Sequence, residues 1–351
     1  MQTDLTLSRL KTLLSRFDGI HAVLVGDLFL DRWYHIEPSL DEPSLETGKT
    51  AHQVVKKRSA PGAGGTVLNN LSAMGAGKIE VVSAVGQDGD GWELMKLLQA
   101  RGVDTSRVIV SDRIVTPSYI KPLFPEEGER LDVKNFSRFP KEIEDGLISG
   151  MQEAVKYADA VILLDQVCEE NCGVLTDNVR DAAGKLAVQY PGKLFLADSR
   201  AFIGVFRNVM IKCNNYEAAF LAKMPVESDS FCEEHVFECM KAMKTVTGCS
   251  AVVTCNRYGI AVESDNGYRL IPAVRHYGPI DICGAGDATT AALSLSIAAG
   301  AAMHEAALIA NLAAGVTVRK LGETGTASQE EIIALYLEQF GYKEQSYDMR
   351  K

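Results

Sequence analysis

Apolar and polar residues alternate along the chain in two different rhythms. Short runs rich in β-branched and other apolar residues read as buried strands: His21-Ala-Val-Leu-Val25, Ile79-Glu-Val-Val-Ser83, Ala160-Val-Ile-Leu-Leu164, Leu194-Phe-Leu-Ala197 and Ala251-Val-Val-Thr254. Between them lie longer segments whose apolar residues recur at helical spacing, as in Gly91 to Arg101, Glu144 to Tyr157 and Phe231 to Thr247. Strands alternating with helices over such a length predict an α/β fold in three layers, a mostly parallel central sheet with helices on both faces.

Two stretches interrupt the rhythm. Residues 33–59 and 108–140 carry Pro, charge and short alternations, with no helical period. Structureless loops of that length are uncommon, so both stretches predict strands of a small β-layer, a discontinuous lid on the main sheet. No repeat, low-complexity region or linker divides the rest, and one domain over residues 1–351 is the expectation.

Composition narrows the partners. A formal net charge of −10 argues against nucleic acid, whose phosphates are bound by clustered Lys and Arg. The longest uncharged stretch, Ala288 to Met303, is shorter than the roughly 20 residues that cross a bilayer, and small residues dominate it. It reads as a closely packed interior helix, with no membrane partner. Met1 to Phe17 has no apolar run of signal-peptide length, so a cytoplasmic location is expected. The eight cysteines form no Cys-x-x-Cys pair and the histidines are scattered, which predicts reduced, mostly buried thiols and no structural zinc.

Gly48-Lys49-Thr50 is no phosphate loop, because position 43 is Pro where that motif needs Gly, and no buried strand leads into it. The informative segment is Asp281-Ile-Cys-Gly284-Ala285-Gly286-Asp287, which follows a strand expected near Ile271 to Tyr277 and opens into the small-residue helix from Ala288. Glycines at a helix start leave N–H groups free to bind an anion, and a transferring phosphoryl group needs such donors. An Asp beside them can take a proton from an attacking hydroxyl. It can equally cap the helix, and these residues alone leave both readings open.

The same segment resembles the C-terminal signature of the PfkB/ribokinase sugar kinases, and the resemblance continues along the chain. Gly26-Asp27-Leu-Phe-Leu-Asp31 is similar to the family's first strand end, and Pro61-Gly62-Ala-Gly64-Gly-Thr66 to its Gly-rich sugar-binding turn. Val85 to Gly91, Gly102 to Thr105, Asp198-Ser-Arg200 and Lys212-Cys-Asn214-Asn-Tyr-Glu217 match further stretches, the last being the family's Asn-x-x-Glu motif. Asn311-Leu-Ala-Ala-Gly315 and Gly322 to Thr326 resemble its nucleotide wall.

The resemblance implies a ribokinase-like fold and ATP-dependent phosphorylation of a sugar hydroxyl. It implies Asp287 as base, with Gly284, Ala285 and Gly286 as anion donors. Asp31, Gly62, Gly64, Thr66 and Lys121 would hold the acceptor, and Asn214, Thr254, Gly259 and Asn311 the ATP. Glu217 would order Mg²⁺ through water, Asp281 would lie near a monovalent cation such as K⁺, and a homodimer would form through the lid. Within the family the likeness is greatest to heptose-7-phosphate kinases, through Glu129-Arg-Leu-Asp132 and the stretch from Asn311 to Val318. Bifunctional members add a nucleotidyltransferase domain, which this chain is expected to lack.

Three positions depart from the family pattern. Thr66 replaces the turn's usual Asn, Asn256 replaces the Gly of Thr-x-Gly, and Cys213 replaces the Pro of Lys-Pro-Asn. A hydroxyl offers less than an amide's paired donor and acceptor, so the sugar contact changes. The rival readings are a hexose or nucleoside kinase and a sugar-binding protein without turnover. Lys49, Lys56, Lys57 and Arg58 in the first lid stretch, with Lys121, Arg130, Lys134 and Arg138 in the second, are either a solvated surface or a grip on an anionic sugar.

Overall fold

The computed structural model describes residues 4–225, 231–265, 267–322 and 324–348. Its strands along the chain are β1 (His21–Gly26), β2 (Leu28–Ile36), β3 (Glu42–Pro43), β4 (Thr50–Ala51), β5 (Val54–Ala63), β6 (Lys78–Gly86), β7 (Val103–Ser111) and β8 (Ser118–Phe124). They continue as β9 (Glu126–Glu127), β10 (Leu131–Val133), β11 (Ala160–Asp165), β12 (Leu194–Ser199), β13 (Met210–Asn214), β14 (Ala251–Thr254), β15 (Gly259–Ser264) and β16 (Gly267–Pro272). The helices are α1 (Leu7–Leu14), α2 (Gly64–Ala73), α3 (Gly89–Gln99), α4 (Lys141–Val155), α5 (Asp177–Gln189), α6 (Asn215–Ala222), α7 (Glu233–Thr247), α8 (Ala285–Ala298), α9 (Met303–Thr317) and α10 (Gln329–Asp348).

The central sheet has nine strands in the order β16-β15-β14-β13-β12-β11-β1-β6-β7. From β14 to β7 every pairing is parallel; β15 and β16 close one edge antiparallel. Side-chain alternation sends each strand into two cores. Ala22 and Leu24 of β1 join the core under α1, α2, α3, α8, α9 and α10, while Val23 and Val25 join the one under α4, α5, α6 and α7. A sheet covered on both faces has no solvent side, which is why its strands read as apolar runs. The uncharged stretch from Ala288 is an interior helix as expected. Ala288, Ala291, Ala292 and Leu295 of α8 are fully buried, and α9 packs beside them. No helix among the described residues is long and apolar enough to cross a membrane. All eight cysteines are free.

The lid is a second sheet, β10-β8-β2-β5, with β9 on β8. Its limits differ from those the sequence suggested. It begins at Leu28, not at 33, because β2 follows β1 after one residue; β5 runs to Ala63, past 59; and residues 108–111 belong to β7 of the main sheet. Val108 to Ser111 lie on a sheet-edge strand, which is half-exposed like a lid strand. Arg32 roots the lid by pairing with Asp90 and with Glu93 of α3, the latter at 2.8 Å.

Candidate active site

The C-terminal ends of the parallel strands carry the chemistry, at the side where α8 begins. The expected strand near Ile271 to Tyr277 stops at Pro272, and α8 starts at Ala285, three residues before the expected Ala288. Asp287 therefore lies in the first helical turn. Gly284, the residue before the helix, has φ +80, and a Cβ there would stand 2.7 Å from Thr324 Cγ2. Only glycine satisfies both demands. The Ala285 N–H closes a turn onto the Ile282 carbonyl (3.2 Å), so it is committed, whereas those of Gly284, Gly286 and Asp287 have no partner among the described residues. The open donors at the helix N-terminus form an anion cradle.

Around Asp287 stand two groups from neighbouring strands and one from α8 itself. Lys212 of β13 gives its ammonium to Asp198 of β12 at 2.6 Å, and Thr290 of α8 donates to the same carboxylate oxygen at 2.8 Å. The Lys212 Nζ lies 3.7 Å from where a Cβ on Gly286 would be, beside the cradle. Burial and the Asp198 charge push Asp287 up to about 7, against the opposing pull of Lys212. Burial alone would lower Lys212, but Asp198, Asp287 and Glu217 hold it charged and raise it. A carboxyl poised near neutrality beside a fixed cation and free N–H donors can take up a proton where negative charge develops.

Asn214 and Glu217 form a reciprocal cap on α6: Asn214 Oδ1 accepts the Glu217 N–H at 2.9 Å and Glu217 Oε2 accepts the Asn214 N–H at 2.8 Å. Burial raises Glu217 despite that hydrogen bond. Thr254 donates to the Cys213 carbonyl at 3.3 Å, tying β14 to β13. Gly259 opens β15 with φ +120, and a Cβ there would overlap the Ile271 carbonyl. Asn311 is buried in α9 and gives both amide hydrogens to Ile271 and Pro272 carbonyls of β16 (2.9 and 3.2 Å). Both Asp281 oxygens accept backbone N–H groups, from Cys283 (2.9 Å) and Gly322 (3.2 Å), which lowers its pKa.

The lid supplies the opposite wall. Register places Trp33 of β2 directly between Arg58 of β5 and Lys121 of β8. The Arg58 guanidinium lies 4.0 Å and the Lys121 ammonium 4.7 Å from the Trp33 ring centre, within cation–π range. Two residues along, His35 sits between Lys56 and Leu123. These six side chains face a cleft of about 430 Å³ whose other wall is Asp281, Cys283, Gly322 and Thr324. Asp31, on the same face, is 3.7 Å from Lys121; burial raises its pKa while Lys121 and Arg130 restrain it. Gly62 lies against the Asp31 carboxyl, 3.0 Å from it to a Cβ, and the Gly64 N–H donates to the Asp27 carbonyl at 2.9 Å. Thr66 points its hydroxyl back to the Pro61 carbonyl (3.4 Å), and its methyl lies near Gly284.

Residues 23–330 match the family described as pfkB family carbohydrate kinase. The chain belongs to the pfkB family. Bifunctional protein HldE of Trichlorobacter lovleyi is 28% identical over 327 residues, 92% of this chain and 64% of the relative. The chain thus spans a little under two-thirds of the length of the curated relatives it matches. The fold matches Arabidopsis thaliana ribokinase complexed with ribose and ATP, with TM-score 0.67, 17% identity, and 90% and 98% of the two chains covered. It also matches Escherichia coli phosphofructokinase-2 in complex with potassium, with TM-score 0.70, 15% identity, and 91% and 99% covered.

On this pfkB frame, the sequence-selected residues separate into two groups. Gly284, Gly286 and Asp287 form the cradle, Thr66 lies near Gly284, Lys121 and Asp281 line the cleft with Asp31 and Gly62 adjoining it, and Glu217 is felt at the cradle through Lys212. Thr254, Gly259 and Asn311 make hydrogen bonds or close contacts within the fold. Part of the Gly322 to Thr326 stretch, Glu323, lies outside the described residues. Asp198, Lys212 and Trp33 were not selected as site residues. The first two end adjacent parallel strands that point at α8, a signal visible in the strand pattern; Trp33 becomes informative only through register. Asp165, at the end of β11, is buried and accepts from Ser199 (2.9 Å) and Arg180 (3.2 Å).

Proposed function

We propose that this pfkB domain transfers the γ-phosphoryl group of ATP to a hydroxyl of a sugar that already carries an anionic group. The observation that carries the transfer is Asp287, held near pH 7 in the first turn of α8 beside open N–H donors and Lys212. Asp31 holds the acceptor, Asp287 takes its hydroxyl proton, and the acceptor oxygen attacks the γ-phosphorus in line. The Gly284 and Gly286 N–H groups, with Lys212, meet the charge that spreads over the equatorial oxygens. The Ala285 N–H serves the turn.

Carboxylate oxygens of Glu217 and Asp198 suit magnesium, a hard cation that keeps several waters. No cluster of three ligating side chains exists among the described residues, so the ion would be held through water and nucleotide oxygens near Glu217. It would supply charge neutralisation of the phosphates. A potassium ion near Asp281 has thinner support, since both carboxylate oxygens already accept N–H groups.

Lys56, Arg58 and Lys121 support an anionic acceptor: they converge on the cleft that Asp31 adjoins. A heptose 7-phosphate, the acceptor implied by the resemblance, has the required chemistry. The test is ATP turnover against mannose, fructose and sedoheptulose, each beside its terminal phosphate. A charge-assisted contact contributes about 1.5–3 kcal/mol, so the phosphorylated partner should show about ten- to a hundredfold higher kcat/KM. Equal rates would remove the anionic acceptor, and no transfer to any sugar in a folded sample would remove the kinase reading.

A further inference from the structure

Among the described residues a single hydrogen bond joins the lid strands to the segment 318–327. The Arg58 Nη2 donates to the Gly322 carbonyl at 3.2 Å. The contacts continue inward from there. The Gly322 N–H donates to Asp281 Oδ2 at 3.2 Å, Asp281 Oδ1 accepts the Cys283 N–H at 2.9 Å, and the Asp281 N–H donates to the Val318 carbonyl at 2.9 Å. Cys283 immediately precedes Gly284, the turn that aims the anion cradle. In the other direction Arg58 lies over Trp33, which also carries Lys121, and Lys121 reaches the Asp31 carboxylate. Among the described residues, the hydrogen-bonded link from the lid strands to this loop therefore crosses the cleft at one guanidinium.

The loop at the end of this route has little else to order it. Tyr277 is 86% exposed and Ile282 74%, so the segment before α8 buries few apolar groups and depends on a handful of hydrogen bonds. Arginine suits the linking position: its plane lies over the indole while one edge donates to Gly322, leaving a buried Nε without a partner. An ammonium has no plane to place in this way.

We propose that Arg58 is a positioning residue, a latch through which closure of the lid over an acceptor at Asp31 fixes the loop 281–286 in its anion-binding geometry. The proposal rests on the kinase reading above. Its test compares the full-length wild type with Arg58→Met and Arg58→Lys. The readouts are hydrogen–deuterium exchange of the peptide 278–287, melting temperature, affinity for Mg²⁺ with a non-hydrolysable ATP analogue, and ATP hydrolysis without acceptor.

Arg58→Met should speed exchange in that peptide about tenfold, the order that follows from losing one charged hydrogen bond. Hydrolysis should fall by a similar factor while analogue affinity and melting temperature stay put, and Arg58→Lys should recover part of the rate. Unchanged exchange in 278–287 overturns the latch, as does a fall in hydrolysis that only tracks a loss of analogue affinity. If the Met variant does not fold, the Lys variant, which keeps the charge and loses the planar fork, carries the same comparison. A wild type that neither hydrolyses ATP nor phosphorylates any sugar of the panel ends the kinase reading, and the exchange measurement still decides the latch.

Discussion

The cleft has two walls built on opposite plans. The loop opening α8 draws on consecutive residues: Gly284 makes the turn, Gly286 leaves its N–H open, and Asp287 stands in the first helical turn, all within four positions. The lid wall gathers Arg58, Trp33 and Lys121 from three strands far apart in sequence, brought into one row by pairing. A contiguous loop takes its turn from local backbone preference, and distant groups such as Arg58 and Lys212 then order and charge it. A cross-strand row is set by register, and a one-residue slip would turn every member to the other face. Lys57 illustrates this. It neighbours Arg58 in sequence, yet it lies over Tyr34, outside the cleft lining.

The comparison is tested most severely on the loop side. Asp287→Asn keeps the shape but removes the proton acceptor, so turnover should drop by roughly two to four orders of magnitude while ATP still binds. Near-normal turnover in a folded variant would reduce Asp287 to a helix cap.

On the lid side the expected effect is smaller and depends on face. Lys121→Met should lower kcat/KM for a phosphorylated sugar by about ten- to a hundredfold. Lys57→Met, two strands over and on the other face, should leave it unchanged. Equal losses from both would mean that overall lid charge matters and register does not. Raising the salt concentration should narrow the preference for phosphorylated sugars if the contacts are partly exposed.

The pH dependence separates the walls again. With Asp287 near 7, kcat/KM should fall about tenfold per pH unit below that value and level off above it. Stability runs the other way. The folded protein holds the Asp287 proton up to about 7, the unfolded chain only to the ordinary carboxylate range near 3.8, so this group's contribution declines as pH rises between the two. Asp287→Asn should therefore melt higher than wild type at pH 8 and no differently at pH 4. A melting difference independent of pH would place the effect in packing.

The smallest effect is expected at Glu217. Gln preserves the reciprocal cap with Asn214, so Glu217→Gln should fold normally and raise the Mg²⁺ concentration for half-maximal rate several-fold. An unchanged titration would leave Glu217 with the cap alone.

Sequence reading located β1, β6, β11, β12 and β14 of the main sheet because each is buried on both faces and shows as an apolar run. His21 to Val25 and Ala160 to Leu164 differ from β1 and β11 by one residue. It placed the lid less well, because half-exposed strands such as Val108 to Ser111 look alike whether they edge one sheet or belong to another. Among site residues, the Gly-rich loop was legible from residue type and spacing. Asn311 was singled out by its place in a motif, and its amide hydrogens turn out to hold α9 against β16.

What the sequence determined by itself, then, is whatever depends on neighbours along the chain. That covers the two-sided sheet, the small-residue helix after Gly284, the turn that only glycine can make, and the acid placed next to it. Tertiary structure decided the rest. It set which of eight basic lid residues face the cleft, since side-chain direction alternates along a strand and the partner strand fixes the row. It buried Asp287 beside Asp198 and so lifted a carboxyl to about 7 against the opposing pull of Lys212, because desolvation and through-space charge depend on atoms 75 or more positions away in the chain, as Lys212 is from Asp287.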